Sequence, residues 1–117
     1  TEKIIGAAIE VHRHFGPGLL EGIYEACLCQ ELRLRGIAFR SQVAIPVVYK
    51  GTSIAYPLKI DMIVEESVVV ELKSVDRIIG IHEAQLLTYL NLTVIPTGLI
   101  INFNCPVISK GLRRMVL

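Results

Sequence analysis

The stretch Ile60-Asp61-Met62-Ile63-Val64-Glu65-Glu66-Ser67-Val68-Val69-Val70-Glu71-Leu72-Lys73 reads as two β-strands joined by a polar turn. Val68, Val69 and Val70 form a continuous apolar run, the pattern of a strand covered on both faces, so the sheet around them needs a layer of structure on either side. Yet the run continues into charge. Side chains alternate along a strand, which sends Glu71 and Lys73 to one face and Leu72 to the other. Asp61 interrupts the preceding apolar strand in the same manner, and Asp is depleted from strand interiors.

The length of the turn decides whether these charges meet. If Glu65 and Glu66 alone turn the chain, Asp61 pairs with Val70 and Glu71 faces away from it. A three-residue loop of Glu65, Glu66 and Ser67, or a bulge, puts Asp61 and Glu71 on one face, and that register is expected. An ordinary explanation of Glu71 and Lys73 stands beside the chemical one: an exposed ion pair at a strand end, worth ~0–1 kcal/mol. In the chemical reading two carboxylates, which are hard oxygen ligands, hold Mg²⁺ with water and phosphate in its other positions. The lysine then orients a water and stabilises charge developing on the phosphate.

Outward from this pair of strands the chain falls into recognisable elements. Upstream, Ile37 to Tyr49 is a third β-rich stretch, and with Ile54 to Val64 and Val68 to Lys73 it makes three strands, expected to be antiparallel. Pro46 and Pro57 donate no ladder hydrogen bond, so they mark edges, bulges or strand ends. Before the strands, Ile4, Ile5, Ala8, Ile9, Val11 and Phe15 recur at helical spacing until Gly16-Pro17-Gly18 stops them. A second helix runs from about Leu20 to Arg35, with Gly36 where a C-terminal glycine cap belongs. Downstream come a helix from about Ile81 to Leu92, a short strand from Thr97 to Phe103 and a last one in the tail, Leu112 to Leu117. Helices before and between the strands imply a mixed α+β sheet flanked by helices, an α/β arrangement. One core is expected across residues 1–117, a usual size for a single domain.

Two helical stripes stand near these strands in the order of the chain. His82, Gln85 and Tyr89 are spaced by three and four and share a helix face. They read either as a solvated face or as a set in which Gln85 fixes a water, lysine or phosphate and Tyr89 meets a nucleic-acid backbone. Glu21, Tyr24 and Glu25 repeat the spacing at the start of the second helix, where Glu also complements the helix dipole, so spacing alone does not make Glu21 a ligand.

Composition bounds the rest. Apolar residues are 52% of the chain and charged ones 20%, an aliphatic balance that excludes disorder. Net charge is +1, so no global field advertises a polyanion. Local clusters exist at Arg33, Arg35 and Arg40 and at Lys110, Arg113 and Arg114, and either could merely solvate a surface. No apolar run reaches the ~18 residues that span a bilayer, and no leader opens the sequence, so a cytoplasmic protein without a membrane role is expected. Cys27, Cys29 and Cys105 are odd in number and fit free thiols in a reducing compartment. His12 and His14 diverge on a helix and make a poor zinc site.

Gly18-Leu19-Leu20-Glu21-Gly22-Ile23-Tyr24 spells GxxExxY. With Asp61, the Glu71-Leu72-Lys73 triplet and the QxxxY spacing of Gln85 and Tyr89, the chain resembles the GxxExxY family, grouped with the PD-(D/E)XK nuclease superfamily, from about Lys3 to Met115. The resemblance implies a restriction-endonuclease-like αβββαβ core with an extra N-terminal helix. It implies a metal-dependent nuclease, acting on DNA rather than RNA, in which Asp61 and Glu71 bind Mg²⁺ or Mn²⁺. The Leu72 carbonyl is then a third ligand, Glu21 a further acidic one, and Lys73 assists the attacking water. Gln85 and Tyr89 map to a feature shared with RecB-like nucleases, and Gly18 shapes the turn into the second helix. The proline of the superfamily name is absent, Ile60 standing before Asp61, and three cysteines are too few for the iron-sulfur cluster of some RecB-like members. A core this small suggests a second copy or a protein partner for substrate binding. The alternative to an enzyme is a catalytically silent module that keeps the fold and recruits partners through exposed aliphatic surface.

Overall fold

The computed structural model describes residues 1–117, apart from the side chain of Pro57; the expectation attached to that proline falls outside the described residues. The elements are α1 (Glu2–Phe15), α2 (Glu21–Leu34), β1 (Phe39–Tyr49), β2 (Thr52–Val64), β3 (Val68–Lys73), α3 (Gly80–Thr93), β4 (Thr97–Asn102), a 3₁₀ turn (Ile108–Gly111) and β5 (Leu112–Val116). From α2 to β4 this is the αβββαβ order, with α1 before it and β5 after it. The tail strand is therefore real, and the other elements end within a few residues of where the sequence puts them.

The five strands lie in the order β1-β2-β3-β4-β5. β1, β2 and β3 are antiparallel neighbours, while β3 and β4 run parallel from Val68 opposite Thr97 to Lys73 opposite Asn102. Parallel neighbours need a long crossover, and α3 supplies it. Its fit is close: a Cβ on Gly98 of β4 would lie 2.9 Å from Leu86 Cδ1 of α3. Pro46 sits at a shift of register in the β1–β2 ladder, between Ile45 and Val47, as suits a residue without an N–H.

The continuous valines behave as strands covered on both sides. Met62, Val64, Val68, Val70 and Leu72 pack with Leu99 and Ile101 against Ile4, Ala7, Ala8 and Val11 of α1 and Tyr24, Leu28 and Leu32 of α2. On the opposite face Ile60, Ile63, Val69 and Ile100 meet Leu86, Tyr89 and Leu90 of α3. Each helix contributes apolar residues at spacings of three and four, and the sheet is sandwiched between the two layers.

Candidate active site

The turn between β2 and β3 contains Glu65, Glu66 and Ser67. Val64 faces Val68, Ile63 faces Val69 and Met62 faces Val70. This is the register that the convergence of Asp61 and Glu71 demands. The ladder stops at Met62, whereas β2 goes on pairing with β1 beyond it, through Ile60, Lys59 and Leu58 and again from Ile54 to Thr52. β2 thus leaves β3 at Asp61. Side-chain alternation also slips there, since Ile60 and Ile63 both lie on the α3 face while Met62 lies on the other. Gln42, which the β1–β2 register places opposite Asp61, has φ +49°.

Two carboxylates fill the opening where the strands part. The Asp61 N–H donates to Glu71 Oε1 at 3.1 Å, and the Leu72 N–H donates to Asp61 Oδ2 at 2.9 Å. Each acid accepts a backbone proton from the other's strand. The N–H and C=O of a strand residue point to the same neighbour, so the Leu72 carbonyl is turned toward the same opening. Glu71 is 5% exposed. Burial first, and the Asp61 charge second, push its carboxyl up to about 8 from an ordinary 4.5.

Lys73 lies beyond Leu72 on the face of Glu71, but the two form no ion pair among the described residues. The strand-end ion pair is thereby set aside. Lys73 Nζ instead donates to Gln85 Oε1 at 3.5 Å, and Gln85 Nε2 donates to the Tyr89 hydroxyl at 2.9 Å. So α3 is tied to the lysine at the end of β3. Tyr89 is buried beneath this chain, and burial, with the charge of Glu71 next, raises its phenol. Tyr89, expected to meet a nucleic-acid backbone, lies beneath Gln85 and supports it from below. His82 leaves the stripe altogether, its Nδ1 accepting the Ile79 N–H at 3.1 Å at the start of α3.

Glu21 opens α2 and is exposed. Partial burial, then Asp61 and Glu25, raise its carboxyl, while Lys73 opposes the rise. It shares the field of the site, yet among the described residues no group of three His, Cys, Asp or Glu side chains comes close enough to hold an ion. Asp61 and Glu71 meet as a pair. Glu25 is tied elsewhere, accepting Gln42 Nε2 at 2.8 Å.

Further residues position the site, some within the GxxExxY stretch and others, such as Ser74, without a signal a sequence reader would notice. The Tyr24 hydroxyl donates to the Gly16 carbonyl and accepts the Leu19 N–H at 3.1 Å, while its ring stacks on Phe103 at 4.5 Å. The tyrosine of the GxxExxY stretch thus pins the turn that delivers Glu21, and Gly18 within that turn has φ +104°, a conformation glycine alone adopts freely. Ser74, immediately after Lys73, donates to the Leu19 carbonyl at 2.8 Å and ties the end of β3 to the same turn. His12 of the first helix is buried and bonds the Cys105 carbonyl through Nε2 at 2.7 Å.

The donor set suits a divalent cation. Asp61 and Glu71 each commit one oxygen to a backbone N–H, which leaves Asp61 Oδ1 and Glu71 Oε2 for a hard ion, and the mutual repulsion that raises Glu71 is relieved by positive charge.

A αβββαβ fold with a carboxylate pair at a strand split and a lysine beside it defines a class of nuclease-like proteins. A family model described as the PD-(D/E)XK nuclease superfamily matches residues 1–115, and the chain belongs to that superfamily. No curated protein and no solved structure matches it significantly.

Proposed function

We propose that the protein is a metal-dependent nuclease of the GxxExxY kind that hydrolyses phosphodiesters, DNA in preference to RNA. The observation that carries this reading is the reciprocal clamp of Asp61 and Glu71 where β2 leaves β3. Asp61 Oδ1, Glu71 Oε2 and the Leu72 carbonyl would hold Mg²⁺ or Mn²⁺, with Glu21 joining through water from the start of α2. A bound ion supplies Lewis-acid polarisation of the phosphate and a more acidic water. Lys73, restrained by Gln85, orients the nucleophile and offsets charge growing on the phosphate. Tyr89 acts through Gln85 and is a positioning residue. With Cys27, Cys29 and Cys105 as free thiols, a reducing cytoplasm is the compartment in which the protein is expected to act.

The test is cleavage of single-stranded, duplex and branched DNA, and of the matching RNAs, with Mg²⁺ or Mn²⁺. Cleavage should require the ion and fall about a hundredfold or more in both Asp61→Asn and Lys73→Ala, a typical loss for one electrostatic group. Equal residual cleavage in the two variants and the parent would defeat the reading. A second reading, a silent assembly module, is favoured by the apolar arm of β1 and β2, where Val48, Tyr49 and Tyr56 are each more than half exposed. It predicts no cleavage with either ion and association through the arm, as a homodimer or with another protein.

A further inference from the structure

The two basic clusters of the sequence have different fates. Arg35 pairs with Glu31, Arg40 grips Glu66 through two hydrogen bonds, and Arg33 lies 5.3 Å from the centroid of the Phe39 ring. That cluster is consumed locally. Lys110 and Arg113 of the second cluster join Arg77 around a cavity of about 220 Å³, whose wall also carries Asp76, Asn102 and Asn104. Among the described residues none of these three cations forms an ion pair.

Three separate segments bring the cations together: Arg77 from the loop after β3, Lys110 from the 3₁₀ turn, Arg113 from β5. Three cations against one carboxylate leave the cavity positively charged, and like charges gathered around a cavity favour an anion within it. The space far exceeds one water, whose share of liquid volume is ~30 Å³. Its wall is fixed in advance. Asn102 Oδ1 accepts the N–H groups of Val75 at 3.1 Å and Asn104 at 3.2 Å, and its Nδ2 donates to the Val75 carbonyl at 2.9 Å. Such preorganisation lowers the cost of binding. Asn102 is also the register partner of Lys73, so the cavity begins one strand, ~4.8 Å, across the sheet from the lysine. Both residues end their strands, at the carboxyl edge where parallel sheets hold ligands.

We propose that this cavity is a phosphate pocket that takes a phosphate of the nucleic-acid strand close to the one under attack. The proposal rests on the nuclease reading for its ligand and on the cavity for its site. Inorganic phosphate titrated into the metal-free protein should shift the amide resonances of Asp76, Asn102 and Asn104 saturably, and Arg77→Gln/Arg113→Gln should abolish the shifts. Single-stranded oligonucleotides with a 5′-phosphate or a 5′-hydroxyl, bound in EDTA, separate the two sources of phosphate. A terminal phosphate gives several-fold tighter binding of the phosphorylated strand, an advantage the double variant loses. A backbone phosphate gives equal binding of both strands, weakened about tenfold in the variant, with the slope of log K against log salt reduced by about 1.4, or ~0.7 per contact. Either result supports the pocket. Shifts and affinities unchanged in the double variant, and in Lys110→Gln, overturn it. All three cations are exposed, and equal urea midpoints check that the variants fold. Since binding is read without metal, loss of affinity in the variant from a protein that cleaves nothing removes the nuclease reading and keeps the pocket. Cleavage intact with affinity unmoved does the reverse.

Discussion

Glu71 is an acid that its surroundings hold protonated, and this has a thermodynamic consequence. Its carboxyl sits at about 8 in the fold against an ordinary 4.5, through burial first and Asp61 next. Between those values the folded chain keeps a proton that the unfolded chain releases. The stability this group contributes without metal is therefore complete below pH about 4.5 and is lost as pH rises through about 8. Urea midpoints taken at about pH 5 and about pH 8 in EDTA should fall, and Asp61→Asn, which removes the like charge, should shrink the fall. A profile as steep in that variant as in the parent would assign the proton elsewhere. The same residues explain what a sequence can disclose at this scale. Asp61, Glu71 and Lys73 stand out because charge inside apolar strands contradicts its neighbours. Ser74 and Asn102 do not, because a polar side chain satisfied by distant backbone looks like any other polar residue until the chain is folded. Tyr89 shows the converse: its spacing placed it on the right face of the helix, but spacing carries no depth.

Elements were more legible than residues, for a physical reason. Apolar periodicity records which face is buried, and every helix and strand here except β5, whose Leu112 and Met115 are only half-buried, has buried residues. The ends moved only slightly, and the three-residue turn between β2 and β3 could be argued before any coordinate because one residue more or less would reverse every side chain. What periodicity cannot record is where a ladder stops. The parting of β2 from β3 at Asp61, with its slip of alternation opposite Gln42, depends on how far the β1–β2 arm twists away. Close approaches between elements are equally hidden. A Cβ on Gly111 would lie 2.1 Å from the Asn102 carbonyl oxygen, part of the rigid backbone at the end of β4, whereas one on Gly98 would meet the movable tip of Leu86 at 2.9 Å. Gly98→Ala should therefore cost about 1–3 kcal/mol, the usual range for an added methyl in a packed core, and Gly111→Ala distinctly more. Urea unfolding measures both, and equal midpoints would mean that the 3₁₀ turn yields more easily than its packing suggests.

At the scale of the whole molecule, charge balance constrains function. A net +1, with Arg35 and Arg40 already paired to Glu31 and Glu66, leaves little general attraction for a polyanion, so recognition must be concentrated at a few places. On the proposed reading the split between β2 and β3 is one, and a divalent ion bound there would change the stability of the entire chain as well as the chemistry. An ion that binds only the folded state stabilises it by RT ln(1 + [M]/Kd), about 2.7 kcal/mol at a hundredfold excess over Kd. Binding must first displace the Glu71 proton, so the stabilisation is linked to pH in the direction opposite to the metal-free profile. Melting temperature should rise with Mg²⁺ or Mn²⁺, and rise further at about pH 8 than at about pH 6, where protons compete. EDTA should reverse the gain and Asp61→Asn should abolish it, while Arg77→Gln/Arg113→Gln should leave it intact. A rise that survives Asp61→Asn would place the ion away from the strand split. No rise at any pH with saturating metal would leave the carboxylate pair as a structural device, a proton shared inside the fold in place of an ion.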